Sequence, residues 1–224
     1  PVDYNCGTIM PQPGFLERAR ELTREHDMLL FFDEIQSFAK KSPGGAQQDF
    51  GVTPDICTIG KSLGASLPLS AICGRADLMD NSKPVGNVAH SGTFNAPLPS
   101  ILAGLEFVHE IQRPEFWSTI NTLAERLYPQ MVEIAERSPV PVRIQHHGSR
   151  CGMVFGTREP VTSYKDALCH NRQQMIQFCA ETTKRGVYYH DYGGGPCHHG
   201  FSSAHTEADI DQILQATADS LAAM

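Results

Sequence analysis

Two short strand-like runs, each closed by a residue with chemistry, most constrain what this chain can fold into. Met28-Leu-Leu-Phe-Phe32 runs into Asp33-Glu34, and Asp55-Ile-Cys-Thr-Ile-Gly60 runs into Lys61. Short apolar runs without alternation suit strands covered on both faces, as in a parallel sheet. Before the first run, Phe15, Leu16, Ala19 and Leu22 fall at helical spacing. Helix, buried strand, then carboxylates at the strand's carboxyl end is the layout of an α/β active-site edge. A third strand is expected at 69–73, after a turn from Gly64 to Pro68. Helices are expected at 98–112 and 116–137, the second striped by Ile120, Leu123, Leu127, Met131 and Ile134.

The prolines at 139 and 141 interrupt this pattern and mark the expected domain boundary. Beyond them the sequence predicts strands at 142–146 and 151–157, a helix over 164–185 and a short strand at 187–189. Thr206-Glu-Ala-Asp209 forms a capping box that opens a last helix. The reading is an α/β region over 1–139 followed by a smaller α+β region over 140–224.

Composition narrows the function classes. The 224 residues carry 18 Lys+Arg against 25 Asp+Glu, a net charge of −7, with no basic patch of the kind nucleic acid requires. No apolar run approaches the roughly 18 residues of a membrane span. The 7 cysteines are scattered, with no CxxC, which fits reduced thiols in a cytoplasmic setting. Cys57, Cys73 and Cys151 fall inside apolar strands and read as small core residues.

Asp33 and Lys61 each end a buried run, a separation that suits neighbouring strand ends joined by a crossover. A lysine facing a low-dielectric cleft there loses basicity and becomes nucleophilic towards carbonyls. An aspartate at the adjacent strand end can hold a pyridinium nitrogen protonated. The plainer reading makes Asp33 a loop cap and Lys61 a solvated charge.

The second constellation is His190-Asp-Tyr-Gly-Gly-Gly-Pro-Cys-His-His199. Its triple glycine permits positive φ and close backbone approach. Cys197, His190, His198 and His199 have metal-ligand chemistry, but adjacent histidines on one loop suit a shared tetrahedral site poorly, and no metal is expected. A substrate-facing loop and a plain surface loop are the other readings. Arg150 is a carboxylate binder by chemistry or the partner of an ordinary ion pair.

The motifs carry a resemblance. Phe32-Asp-Glu-Ile-Gln36, Gly44-Gly-Ala-Gln47, Phe50-Gly-Val-Thr-Pro-Asp55, Thr58-Ile-Gly-Lys-Ser-Leu-Gly64 and His90-Ser-Gly-Thr-Phe94 stand in an order that resembles class III aminotransferases of fold type I. The nearest branch is the glutamate-1-semialdehyde 2,1-aminomutase-like one. Pro11-Gln-Pro-Gly-Phe-Leu16, Arg185-Gly-Val-Tyr188 and Ser203-Ala-His-Thr-Glu-Ala-Asp-Ile-Asp211 extend it along essentially the whole chain.

The resemblance implies pyridoxal 5′-phosphate as cofactor, an amino acid or amino ketone as small-molecule substrate, and a homodimer or higher homo-oligomer. It implies that Lys61 forms the internal aldimine and shuttles the substrate proton, and that Asp33 pairs with the ring nitrogen. Ile35 then packs on the ring, Gln36 reaches its phenolic oxygen, and Thr93 serves the phosphate across the dimer interface. Glu34 takes a structural role beside Asp33.

The chain opens at Pro1 without an initiator Met. Members of the family are about twice as long, and their N-terminal half supplies a Gly/Ser phosphate loop and a ring-covering aromatic. The sequence is therefore expected to be the C-terminal half of that architecture, a partial large domain over 1–139 with a small domain over 140–224. It departs from the family at Phe94-Asn-Ala-Pro, where Gly-Asn-Pro is usual, and at Ala39 or Lys40, where an arginine is usual. Two alternatives stand beside the aminotransferase reading. One is a cofactor-independent isomerase, lyase or cyclase using His190, His198, His199 or Tyr192 as acid–base groups. The other is a non-catalytic partner of a longer homologue.

Overall fold

Contacts divide the chain into two units: Pro1 with Gln12–Pro114, and Val2–Pro11 with Glu115–Met224. The division falls at Pro114 rather than at the expected 139, because α5 packs on the second sheet. The computed structural model describes residues 1–196 and 198–224; Cys197, a candidate ligand by sequence, lies outside the described residues.

The first unit runs α1 (Phe15–Glu25), β1 (Phe31–Asp33), α2 (Gly45–Phe50), β2 (Ile56–Ile59), a 3-10 turn (Lys61–Gly64), β3 (Ala71–Gly74), α3 (Ala76–Met79) and α4 (Leu98–Ile111). Strand β1 pairs parallel with β2, and β2 pairs antiparallel with β3, so this sheet is mixed rather than wholly parallel. Phe32 and Cys57 face a small core with Leu16 and Val52. The opposite face carries Phe31, Asp33, Thr58 and Ile72 by strand alternation. Phe31 and Ile72 are each 52% exposed, so within this unit the expected burial on both faces holds on one face only.

Asp55 ties the lower end of the sheet together. Its carboxylate accepts from the Leu30 N–H (2.7 Å), from Arg20 (2.8 Å) and from Arg75 (2.8 Å). Burial opposes its charge, but these donors outweigh burial and hold its pKa below the ordinary aspartate value.

The second unit contains α5 (Pro114–Arg137), β4 (Val142–His147), β5 (Arg150–Phe155), α6 (Tyr164–Ala167), α7 (Arg172–Lys184), β6 (His198–Gly200) and α8 (Glu207–Ala222). Its antiparallel sheet has the order β4-β5-β6. The stripe on α5 is core as expected: Ile120, Leu123, Leu127 and Met131 are buried with Ile144, Met153, Phe155 and Phe178. The segment Val2–Pro11 lies along this sheet. The Tyr4 hydroxyl meets His147 Nδ1 at 2.7 Å, and the Gly7 backbone comes so near Gly152 that a Cβ there would stand 2.3 Å from it.

Two expectations are corrected. The helix over 164–185 is two helices, because Ser163 and Asn171 each cap a new start and the Asn171 N–H turns away to bond Phe155 O. Residues 187–189 form no strand, and the third strand is β6 instead. The capping box at Thr206 and Asp209 is present, with both reciprocal bonds made. No described helix is long and apolar enough to cross a membrane.

Candidate active site

Parallel pairing puts the carboxyl ends of β1 and β2 on one edge. Asp33 stands opposite Thr58, and Lys61 follows β2 after Ile59 and Gly60. The two residues singled out by sequence are thus held at adjacent strand ends by the pairing itself. Asp33 Oδ1 accepts from the Ile35 N–H (3.0 Å) and the Thr58 hydroxyl (3.3 Å). These bonds fix the carboxylate and leave Oδ2 with no hydrogen bond among the described residues. Lys61 sits at φ 49°, an uncommon conformation for a residue with a Cβ. A Cβ on the preceding Gly60 would lie 3.0 Å from Ile35 Cδ1, so the glycine lets Ile35 approach the Lys61 turn.

Lys61 and Asp33 are both exposed on this unit, which differs from the low-dielectric cleft expected for the lysine. Gln36 and Ile35 are half-buried. Thr93 lies in the stretch 87–96, exposed throughout, and does not take part in the Asp33–Thr58 hydrogen bonding.

Two further buried residues, Lys40 and Glu34, support this edge. Lys40 is buried, and its ammonium donates to Ser62 Oγ and to Phe38 O (3.4 Å), pinning the turn that carries Lys61. Glu34 is fully buried and accepts from Ser37 Oγ (3.0 Å), Ala46 N (2.6 Å), Gln47 N (3.1 Å) and Gln47 Nε2 (3.1 Å). It clamps the start of α2 to the end of β1, the structural role expected for it.

The histidine loop lies in the second unit, along a cleft of about 420 Å³ lined by His190, His198 and His199. Gly193 and Gly194 take positive φ, 67° and 77°, as the triple glycine allows. The loop is anchored by residues that sequence did not single out. His170 Nε2 meets Gly194 O at 2.7 Å, and Arg172 donates to Gly193 O at 2.5 and 3.0 Å.

His190 Nδ1 meets the Tyr188 hydroxyl at 2.8 Å, and its ring centroid is 3.8 Å from that of Tyr192. His198 and His199 point to opposite faces of β6, His199 inward and buried. Burial, then the nearby His198, His190 and Arg150, hold the His199 pKa down to about 3. At neutral pH the His199 ring is therefore uncharged, with one ring nitrogen carrying a proton. Among the described residues no three His, Cys, Asp or Glu side chains converge as metal ligands.

The sequence profile of "Aminotransferase class-III" matches residues 1–221. The chain superposes on an omega-transaminase from Sphaerobacter thermophilus with a TM-score of 0.87 and 26% identity, over 98% of this chain and 50% of that one. It is similar to a beta-phenylalanine aminotransferase from Variovorax paradoxus, with a TM-score of 0.82 and 26% identity, over 98% of this chain and 50% of that one. A glutamate-1-semialdehyde-aminomutase from Pseudomonas aeruginosa PAO1 shares the fold, with a TM-score of 0.82 and 22% identity, over 99% of this chain and 50% of that one. The chain thus spans about half the length of these solved structures.

Proposed function

The chain belongs to the class III aminotransferase family, and from that premise we propose that it serves pyridoxal-phosphate-dependent amino-group chemistry on a small amino acid or amino ketone, with Lys61 and Asp33 as its reacting pair. The observation that carries this reading is their placement on one edge by the parallel β1–β2 register. The cofactor, when bound, supplies an electron sink that stabilises negative charge on the substrate carbon.

The residues present fit that group. Asp33 keeps Oδ1 occupied by Ile35 and Thr58, so Oδ2 is the acceptor left for a protonated ring nitrogen. A negative carboxylate there favours the protonated form of that nitrogen. Lys61 supplies the amine that takes and returns the proton at the substrate carbon. Ile35, next to the bare Gly60, offers an apolar surface for a flat ring, and Gln36 offers an amide to its phenolic oxygen. Thr93, exposed, is the hydroxyl offered to the cofactor phosphate of a second copy in a homo-oligomer.

The test uses the full chain with added pyridoxal phosphate. Wild type is expected to acquire a visible absorbance band that Lys61→Ala lacks, with the folded far-UV spectrum retained. A chain that takes up no added cofactor, or a band that survives in Lys61→Ala, overturns the reading.

A further inference from the structure

We propose that Cys57 and Cys73 are a reversible dithiol–disulfide site, closed by a small-molecule disulfide oxidant and reopened by thiols. They stand directly opposite one another on β2 and β3. Opposite residues of an antiparallel pair point to the same face, so both side chains leave the sheet on one side. That side carries the small core around Phe32, in which Cys57 is buried and against which the half-buried Cys73 packs. Both are free thiols.

The backbone fixes their spacing. The Ile56 N–H donates to Leu30 O (3.3 Å) and Thr58 O accepts from the Glu34 N–H (2.9 Å), so residues 56 and 58 turn their polar groups towards β1. Cys57, between them, turns its own towards β3 and faces Cys73 as a hydrogen-bonded pair. Such a pair holds its Cα atoms about 5.5 Å apart, inside the roughly 4.4–6.8 Å that a disulfide spans. Its Cβ atoms start about 5.5 Å apart, against the roughly 3.5–4.5 Å that a disulfide needs. Closing the bond must draw the strands together by about 1 Å, and a disulfide made under that load is readily reduced. The pair is thus built to open again, and the segment that its bond encloses, 58–72, carries Lys61.

The site is open to a reagent. Both cysteines line a cleft of about 540 Å³ with Phe38, Gln47, Gly74 and Arg75, large enough for a small disulfide. Cys73 is the more exposed, so its thiolate attacks one sulfur of the oxidant and expels the other as a thiolate. Cys57 then attacks the Cys73 sulfur of the mixed disulfide and expels the second thiolate. Two protein thiols are oxidised, one oxidant disulfide is reduced to two thiols, and the two protons end on them. Cys57 suits the second step rather than the first. Burial pushes its thiol up, the Gln47 amide at 3.7 Å from its Sγ pulls against that, and the Cys73 thiol and Glu34 add to the rise. Such a thiol is inert alone and reacts when a mixed disulfide is held beside it.

Glutathione disulfide is the probe. The full chain is equilibrated in glutathione buffers of rising disulfide content, quenched with acid, alkylated unfolded, digested and mapped by mass spectrometry. Wild type is expected to yield a peptide pair joined through Cys57 and Cys73, two hydrogens lighter than the free pair, and to lose that link in excess reduced glutathione. Cys57→Ala should stop at a glutathione adduct on Cys73, and Cys73→Ser should leave Cys57 unmodified. If Cys57→Ala fails to fold, Cys73→Ser at the half-buried position still decides. Absence of the 57–73 link in wild type, a link from either cysteine to a different one in its place, a bond that excess reduced glutathione does not reopen, or a Cys57 adduct in Cys73→Ser as abundant as the wild-type link would each overturn the proposal.

Discussion

Removal of the Glu34 carboxylate probes how the edge that carries Asp33 is held. Glu34→Ala strips the acceptor from four donors at once. Ser37 can rotate its hydroxyl, and the Gln47 amide can reach water, so neither is stranded. The backbone N–H groups of Ala46 and Gln47 cannot turn away, because they open α2. Each buried donor left unpaired costs about 1–3 kcal/mol, so a net loss of about 2–4 kcal/mol is expected after partial hydration of the gap. That is a large share of the roughly 5–15 kcal/mol that holds a typical domain folded.

Glu34→Gln keeps one oxygen and turns an N–H₂ towards two of the donors, so it should lose about half as much. Urea unfolding followed by circular dichroism gives the totals. Hydrogen exchange at the Ala46 and Gln47 amides localises them, with protection lost there first. A Glu34→Ala loss below about 1 kcal/mol, or unchanged exchange at both amides, would refute the clamp.

Two further outcomes are expected. Asp55 has its folded pKa depressed below the unfolded value of about 3.9, so its contribution to stability is full above that value and is lost as pH falls through the lower folded one. Wild type should therefore lose urea resistance more steeply than Asp55→Asn on acidification below about pH 4, and parallel curves would count against the Arg20–Asp55–Arg75 arrangement. Gly104→Ala should cost about 1–3 kcal/mol by overpacking, because its Cβ would stand 2.5 Å from Leu69 Cδ2 and 3.1 Å from Leu63 O; a neutral effect in urea unfolding would show that α4 does not press on the Lys61 turn.

Much of this was legible from the residues in order. Local pattern carried the helix stripe of α5, the capping box of α8 and the two apolar runs, because periodicity and caps are short-range properties of the chain. The same runs, closed by Asp33 and Lys61, carried the family resemblance and the pairing of those two residues at strand ends. Local pattern could not say that 164–185 breaks at 168–171, since the break depends on Phe155 drawing the Asn171 N–H and lending its own N–H to His170. Nor could it show β6, whose three residues are a strand only because β5 lies beside them.

The division of labour follows from range. By itself the sequence pointed to the family, gave most of the element order, and singled out Asp33 and Lys61 at neighbouring strand ends. Only the tertiary structure decided that Glu34 and Lys40 brace that pair, and that one sheet face of the first unit stands open. It alone showed that His199 turns inward from β6 while its neighbour His198 takes the other face. Strand register and burial are set by partners distant in sequence, and no window along the chain contains both sides of such a contact.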